Sequence, residues 1–334
     1  MSENNSMILI NKLKILSSQF ASGYFGVVLG MIGTGMAWRY ATKEHGYPAY
    51  IGEIFISVGC LVWLTLTLFL LAKYLLHRQL VLDEIKHPVA SGFTSLFPAT
   101  TVLVSIGLSP YLPLFSLILF SLGAVAQLGY SSWLIGAQWK GEYPKMATTP
   151  VLYLPTVANN FICAMACGAF GFNDLGILFF GAGVFSWLSL EPAILKRIRS
   201  DGLMDEKSRL SFGIQLAPAL VACSAYLAIN DNHIDFFAKM LLGYGLLQLL
   251  FMVRLIPWFV KQPFSLPFWS FSFGVSALAK ASLNMSMASN SHFMQLLSTA
   301  LFIFANFIIL LLIWHSLLWF FRGLKQLCCP SKAL

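Results

Sequence analysis

Residues 54–72, IFISVGCLVWLTLTLFLLA, form an uninterrupted apolar run between Glu53 and Lys73. A helix needs about 20 predominantly apolar residues to cross the hydrocarbon core of a bilayer. Within lipid the backbone must satisfy its own hydrogen bonds, which a helix does. The run therefore predicts a membrane-spanning helix, and similar runs recur along the chain.

Ten apolar runs of spanning length are separated by short polar breaks. The chain has 334 residues, 58% hydrophobic and 10% charged, whereas soluble domains carry about 25% charged residues. This composition predicts an all-α integral membrane protein: a cytoplasmic segment at 1–19, a transmembrane domain at 20–320 and a cytoplasmic tail at 321–334. The predicted spans lie near residues 20–40, 50–76, 89–108, 111–133, 151–170, 174–195, 210–229, 235–260, 267–288 and 293–320.

The basic residues are distributed unequally between the two sides of these spans. Of the 21 Lys and Arg residues, 16 fall on the side of the termini and three, Arg39, Lys43 and Lys239, on the other. Arg254 and Lys280 fall inside spans. Because loops rich in Lys and Arg stay in the cytoplasm, both termini are predicted to be cytoplasmic.

Several function classes are disfavoured by the same composition. The formal net charge is +8, but the basic residues form no stripe with interleaved aromatics, so no nucleic-acid partner is expected. The six His and six Cys residues show neither metal-ligand nor catalytic spacing. We expect no metal, no cofactor and no enzymatic activity.

A local pattern recurs in the odd-numbered spans: a large apolar or aromatic residue is followed by Gly or Pro and then by small residues. Proline breaks a helix, and such breaks in lipid are tolerated where they line protein or a water-filled cavity. The pattern predicts five helical hairpins around a central pore, with five broken inner helices and five outer ones. The predicted pore-lining kinks are Gly26, Pro98, Pro155, Pro218 and Gly274.

The motifs at these breaks are similar to those of a known family. Residues 23–26 (GYFG), 153–155 (YLP), 179–183 (FFGAG), 190–192 (LEP) and 269–274 (WSFSFG) occur in order along the chain. They resemble the tellurite-resistance branch of the slow-type anion channels and C4-dicarboxylate/malate permeases.

That resemblance implies a homotrimer in the bacterial inner membrane, in which each protomer has its own pore for small inorganic or organic anions. It also implies that one phenylalanine closes the pore near mid-membrane. By its position in the motif, that residue is Phe273.

Two charged residues inside predicted spans, Lys280 and Glu191, need a partner or a function there. Lys280 lies seven residues after Phe273 and thus on nearly the same helical face. It either attracts anions to an outer vestibule or extends its ammonium to the membrane interface. Glu191 is expected to pair with one of Lys196, Arg197 and Arg199, or with a backbone group of an inner helix.

Two modes of transport fit the sequence. The first is a channel through which small anions move passively once Phe273 swings aside. The alternative is a proton-coupled secondary transporter exporting dicarboxylate or tellurite. Transporters often contain inverted repeats, whereas the five predicted hairpins all point the same way, which favours the channel.

Overall fold

The computed structural model of the chain describes residues 14–141, 143–202, 204, 206, 208–287 and 291–328. These residues are predominantly helical and include no β-strand. In chain order the α-helices are α1 (Gly26–His45), α2 (Ala49–Leu76), α3 (Arg78–Lys86), α4 (Ala90–Thr94), α5 (Leu96–Leu108), α6 (Pro113–Gln138), α7 (Asn159–Phe170), α8 (Asn173–Ser200), α9 (Ala217–Ile229), α10 (Phe236–Phe259), α11 (Ser272–Met287) and α12 (His292–Cys328).

Eight helical segments in the described part of the chain are long and apolar enough to cross a membrane. The predicted spans near 20–40 and 267–288 do not meet this standard. α1 is rich in glycine and ends in charged residues, and α11 contains four serines together with Lys280 and Asn284. The eight segments are Ala49–Leu76, Ala90–Leu108, Pro113–Gln138, Pro150–Phe170, Asn173–Ser200, Arg209–Ile229, Phe236–Phe259 and His292–Gly323.

The long helices fall into two sets that differ in burial. The inner helices, α1, α5, α7, α9 and α11, contain most of the buried core. The outer helices, α2, α6, α8, α10 and α12, expose large apolar side chains such as Leu61, Leu122 and Phe185. Apolar patches of this extent are rare on soluble proteins, so the outer surface is suited to lipid.

The contacts between helices follow a simple order. Each inner helix contacts the next one along the chain, and α11 contacts α1, so the five inner helices close into a ring. Each outer helix packs against the inner helix that precedes it in the chain. The resulting arrangement has two layers, with the inner ring enclosed by the outer helices.

Each inner helix begins next to a break in regular α-helical structure. Short 3₁₀ segments, Ser22–Phe25, Arg209–Leu216 and Leu266–Phe271, precede α1, α9 and α11, and a π-helical turn, Leu154–Ala158, precedes α7. The break between α4 and α5 falls at Ser95. Proline near such a start costs little, since the first amides of a helix have no intrahelical acceptor.

The helix α1 packs closely against α11 through two glycines. A Cβ atom added at Gly30 would lie 2.3 Å from Ser272 Oγ, and one added at Gly33 would lie 2.3 Å from Ser276 Oγ. Small residues allow helix backbones in membranes to approach closely. The position of α11 therefore depends on these glycines.

The last helix is longer than the predicted span at 293–320. Because α12 runs to Cys328, the first residues of the predicted tail at 321–334 are helical. Residues 1–13 of the predicted N-terminal segment and 329–334 of the tail lie outside the described residues.

Candidate functional site

Phe273 separates two cavities that the inner helices enclose. It is the second residue of α11 and is 6% exposed. Its side chain lines both cavities, and Val221 of α9 is the other residue that does so. One cavity extends toward the C-terminal part of α11, and the other toward the segment Leu266–Phe271 that precedes it.

The first cavity, which we name the basic cavity, has a volume of about 300 Å³. All five inner helices contribute to its lining. Among the described residues, the lining contains three cationic side chains, Arg39, Lys43 and Lys280, and no carboxylate. This cavity is therefore suited to attract anions.

The partners of these cations differ. Arg39 forms a bidentate ion pair with Glu53, with Nε–Oε1 and Nη2–Oε2 distances of 2.7 and 2.8 Å. Lys43 Nζ lies 3.6 Å from a carboxylate oxygen of Glu44. For Lys280, no carboxylate among the described residues lies within ion-pair distance. Lys280 is thus the basic side chain of this cavity that has no carboxylate partner among the described residues.

The second cavity, which we name the apolar cavity, has a volume of about 190 Å³. Its lining is dominated by aromatic and aliphatic groups, including Phe93, Phe161 and Trp269. The one carboxylate among the described residues of its lining, Glu84, accepts hydrogen bonds from Lys73 Nζ at 2.5 Å and from the Ser22 amide at 2.9 Å. The charge of Glu84 is therefore compensated by Lys73.

The five predicted kink residues occupy similar places in the chain, and two of them line the apolar cavity. Gly26 and Pro218 line the apolar cavity. The other three make interhelical contacts: the Pro98 carbonyl lies against Gly123, the Pro155 carbonyl accepts a hydrogen bond from Ser131 at 2.6 Å, and Gly274 faces Leu216.

The two phenylalanines of the WSFSFG stretch have different surroundings. Phe273 points between the cavities, and its ring carbon Cδ2 would lie 3.5 Å from a Cβ added at Gly33. Phe271 instead packs edge-on against Phe259, with ring centroids 5.0 Å apart, and lines a groove between α10 and α12. Of the two, only Phe273 lies between the cavities.

The expected ion pair of Glu191 with Lys196, Arg197 or Arg199 is wrong. The Glu191 carboxylate accepts hydrogen bonds from four neutral donors: Tyr153 Oη at 2.5 Å, Trp187 Nε1 at 2.8 Å, Tyr244 Oη at 2.8 Å and Gln215 Nε2 at 3.0 Å. Arg197 donates to the Gly202 carbonyl instead.

Glu191 thus ties α8 to α10 and to the segments that precede α7 and α9. Sequence reasoning missed all four of these partners, and three of them lie in segments far away along the chain. Trp187, one helical turn before Glu191, was the single local signal.

The cysteines and the possible metal ligands are the remaining side chains with reactive chemistry in the described residues. Cys60, Cys163, Cys167 and Cys223 are free thiols, and the last three are buried. The described residues contain no group of three or more His, Cys, Asp or Glu side chains positioned to hold a metal ion.

Comparison with known proteins supports the resemblance expected from the motifs. The profile of the family described as "SLAC1: Voltage-dependent anion channel" matches residues 19–317. The chain is 36% identical over 295 residues to the Tellurite resistance protein TehA homolog of Haemophilus influenzae, covering 87% of this chain and 88% of that protein.

Plant channels are more distant relatives. The chain is 23% identical over 302 residues to the S-type anion channel SLAH3 of Arabidopsis thaliana, covering 86% of this chain and 46% of that protein. It is 22% identical over 311 residues to SLAH4 of the same plant, covering 90% and 83%. On the evidence of the profile match and the bacterial relative, the chain belongs to the SLAC1 family of voltage-dependent anion channels.

Proposed function

We propose that this protein is an anion channel in which small anions pass down their electrochemical gradient through a pore within each protomer, and that Phe273 is the gate. The observation that carries the proposal is the position of Phe273 between the basic and apolar cavities. The pore consists of these two cavities in series, joined at the throat that Phe273 and Val221 fill.

The gate works by excluding water from the throat. An aromatic ring in a narrow apolar passage leaves no room for the hydration shell of an anion, and an ion stripped of its water without compensating contacts meets a large barrier. When the ring of Phe273 swings aside, the two cavities become continuous. Conduction through a hydrated path then needs no tight binding site.

Ten membrane-embedded helices form this pore as five hairpins. The ring of inner helices and the pairing of each outer helix with the preceding inner helix support this arrangement. The breaks next to Gly26, Pro98, Pro155, Pro218 and Gly274 recur at the same end of each inner helix. Repeats of equal direction favour a channel over the inverted repeats common in secondary transporters.

Lys280 makes the basic cavity attractive to anions because its charge has no carboxylate partner there. With both termini in the cytoplasm, as the distribution of Lys and Arg predicts, the basic cavity opens to the outside and the apolar cavity to the cytoplasm. The basic cavity is then the outer vestibule.

The protein acts in the bacterial inner membrane as a homotrimer with lipid around its outer helices, as its resemblance to bacterial relatives implies. The name of the Haemophilus influenzae relative links the channel to tellurite resistance. Export of dicarboxylate or tellurite by proton-coupled transport is the second candidate, and the tellurite resistance in that same name fits tellurite as its substrate.

A flux assay in proteoliposomes distinguishes the two functions. The wild-type protein and the Phe273→Ala variant are reconstituted, and uptake of chloride, nitrate or malate is followed with and without a proton gradient. The channel predicts passive, anion-selective flux that is greatest in the variant. Flux in the wild type that requires the proton gradient, with none gained in the variant, would establish the transporter instead.

A further inference from the structure

The basic cavity contains an unusual polar group besides Lys280. Ser224 of α9 is 2% exposed and lines this cavity, and its Oγ atom has no hydrogen-bond partner in the described part of the protein. A buried hydroxyl left unpaired is unfavourable. Other serines of the inner helices avoid that state by donating to a carbonyl of their own helix, as Ser276 does to Phe273.

The repeat places Ser224 and Lys280 at the same depth. Ser224 follows Pro218 by six residues, and Lys280 follows Gly274, at the equivalent position of the motif, by six residues. Both therefore lie about 9 Å along their helices from the motif residue, at 1.5 Å per residue. Because α9 and α11 are neighbours in the ring, the two side chains reach one region of the cavity.

Together these two groups supply the positive charge and the hydrogen-bond donors that bind an anion. The ammonium of Lys280 supplies charge and up to three donors, and the Ser224 hydroxyl supplies one more donor. The surrounding wall includes Ala277, Val221 and the ring of Phe273, which cannot hydrate an ion. Such a site favours a small, monovalent, weakly hydrated anion over a strongly hydrated divalent one.

We infer that Lys280 Nζ and Ser224 Oγ form a discrete binding site for one monovalent inorganic anion, directly on the basic-cavity side of Phe273. This inference rests on the proposed function, since it gives the closed pore a resident ion next to its gate. The site holds the anion while the gate is shut, and the anion is the first to pass when Phe273 moves.

Anomalous diffraction from bromide tests the site without relying on conduction. Crystals of the closed wild-type protein grown in bromide should show one anomalous peak in the basic cavity, within hydrogen-bond distance of Lys280 Nζ and Ser224 Oγ. The peak should be lost in Lys280→Gln and weakened in Ser224→Ala. It should persist in Ser276→Ala, the matched control, because the Ser276 hydroxyl is already bonded to its own helix.

A water molecule alone at this position in the wild type, or a bromide peak unaffected by both variants, would overturn the inference. The site also predicts current saturation in the Phe273→Ala background. There, adding Ser224→Ala should raise the half-saturating bromide concentration by about tenfold, the effect of losing one hydrogen bond to a charged group. An unchanged half-saturating concentration would likewise contradict the inference.

The two experiments separate failure of the site from failure of the channel. If Phe273→Ala conducts but no bromide peak appears in the wild type, the site is wrong and the channel stands. If the bromide peak appears as expected but Phe273→Ala passes no anions, the anion site stands and the proposed function is wrong.

Discussion

Replacing Phe273 by alanine should convert a nearly silent protein into a constitutively conducting one. The ring separates cavities of about 300 and 190 Å³, so its removal joins them. Moving even a neutral polar group into apolar surroundings without hydrogen bonds costs about 2–7 kcal/mol, and an ion costs more. Since each 1.4 kcal/mol of barrier is a factor of ten in rate, relief of about 4 kcal/mol corresponds to about a 1,000-fold larger anion current.

The assay is current across a voltage-clamped bilayer containing equal amounts of each protein. Phe271→Ala is the matched control, because it removes the same side chain two residues away, from the groove beside Phe259 and not from the throat. A large apolar residue truncated in a packed core costs about 3–5 kcal/mol of stability. Because Phe273 borders open space on two sides, we expect Phe273→Ala to lower the free energy of unfolding by an amount at the lower end of this range.

Silence of a well-folded Phe273→Ala protein, checked by its elution as a single species from a sizing column, would refute the gate. Equal currents in Phe273→Ala and Phe271→Ala would refute the assignment of Phe273 in particular. Currents carried by cations would refute the anion selectivity attributed to the basic cavity.

Three further perturbations follow from the contacts. Gly33→Val would place a side chain against Ser276 of α11. With Phe273 still present, the basal current of this variant should exceed that of the wild type by about tenfold for each 1.4 kcal/mol of closed-state packing lost. Gly243→Val, at a position with open space around it, should leave the current unchanged. Glu191→Gln places an amide donor among four donors and should lower the free energy of unfolding by about 1–3 kcal/mol, read as a lower thermal midpoint in detergent. Asp235, the N-cap of α10, accepts hydrogen bonds from the Tyr226 hydroxyl and the Ala238 amide, which lower the pKa of its carboxyl group. Because the bonds favour the ionised form, their contribution to stability is present at neutral pH and lost as the pH falls through the lowered pKa, so Asp235→Ala should destabilise at pH 7 and have little effect in strong acid.

Two results would contradict the reasoning behind these variants. If Lys196→Gln destabilises the protein as much as Glu191→Gln, the carboxylate has a cationic partner after all. If Asp235→Asn, which retains capping ability, is as unstable at neutral pH as Asp235→Ala, the cap is not the source of the effect.

Periodicity and composition were sufficient to predict most of the helices and the place where the inner ones break. They work because the membrane imposes a minimum length on apolar segments and because proline acts on its own helix. The same reasoning gave spans to α1 and α11, which are less apolar than the other spans because α1 is rich in glycine and α11 contains four serines, Lys280 and Asn284.

The candidate site could be predicted only in part. The seven-residue spacing of Phe273 and Lys280 indicated a shared face, and both side chains line the basic cavity. The unpaired hydroxyl of Ser224 had no sequence signal, since nothing along α9 distinguishes it from serines that bond to their own backbone. The four donors around Glu191 were missed because three belong to distant segments, and tertiary packing alone brings them together.

The closed ring of inner helices also has a consequence for biosynthesis. The seam between α9 and α1 can be sealed only by α11, which is the last inner helix to leave the ribosome. Phe273 lies in the first turn of that helix. A nascent chain with four inner helices inserted therefore has an incomplete ring, and the helix that completes the ring also contains the proposed gate, Phe273. Under the proposed function, the pore would thus be closed by Phe273 from the moment the ring is complete.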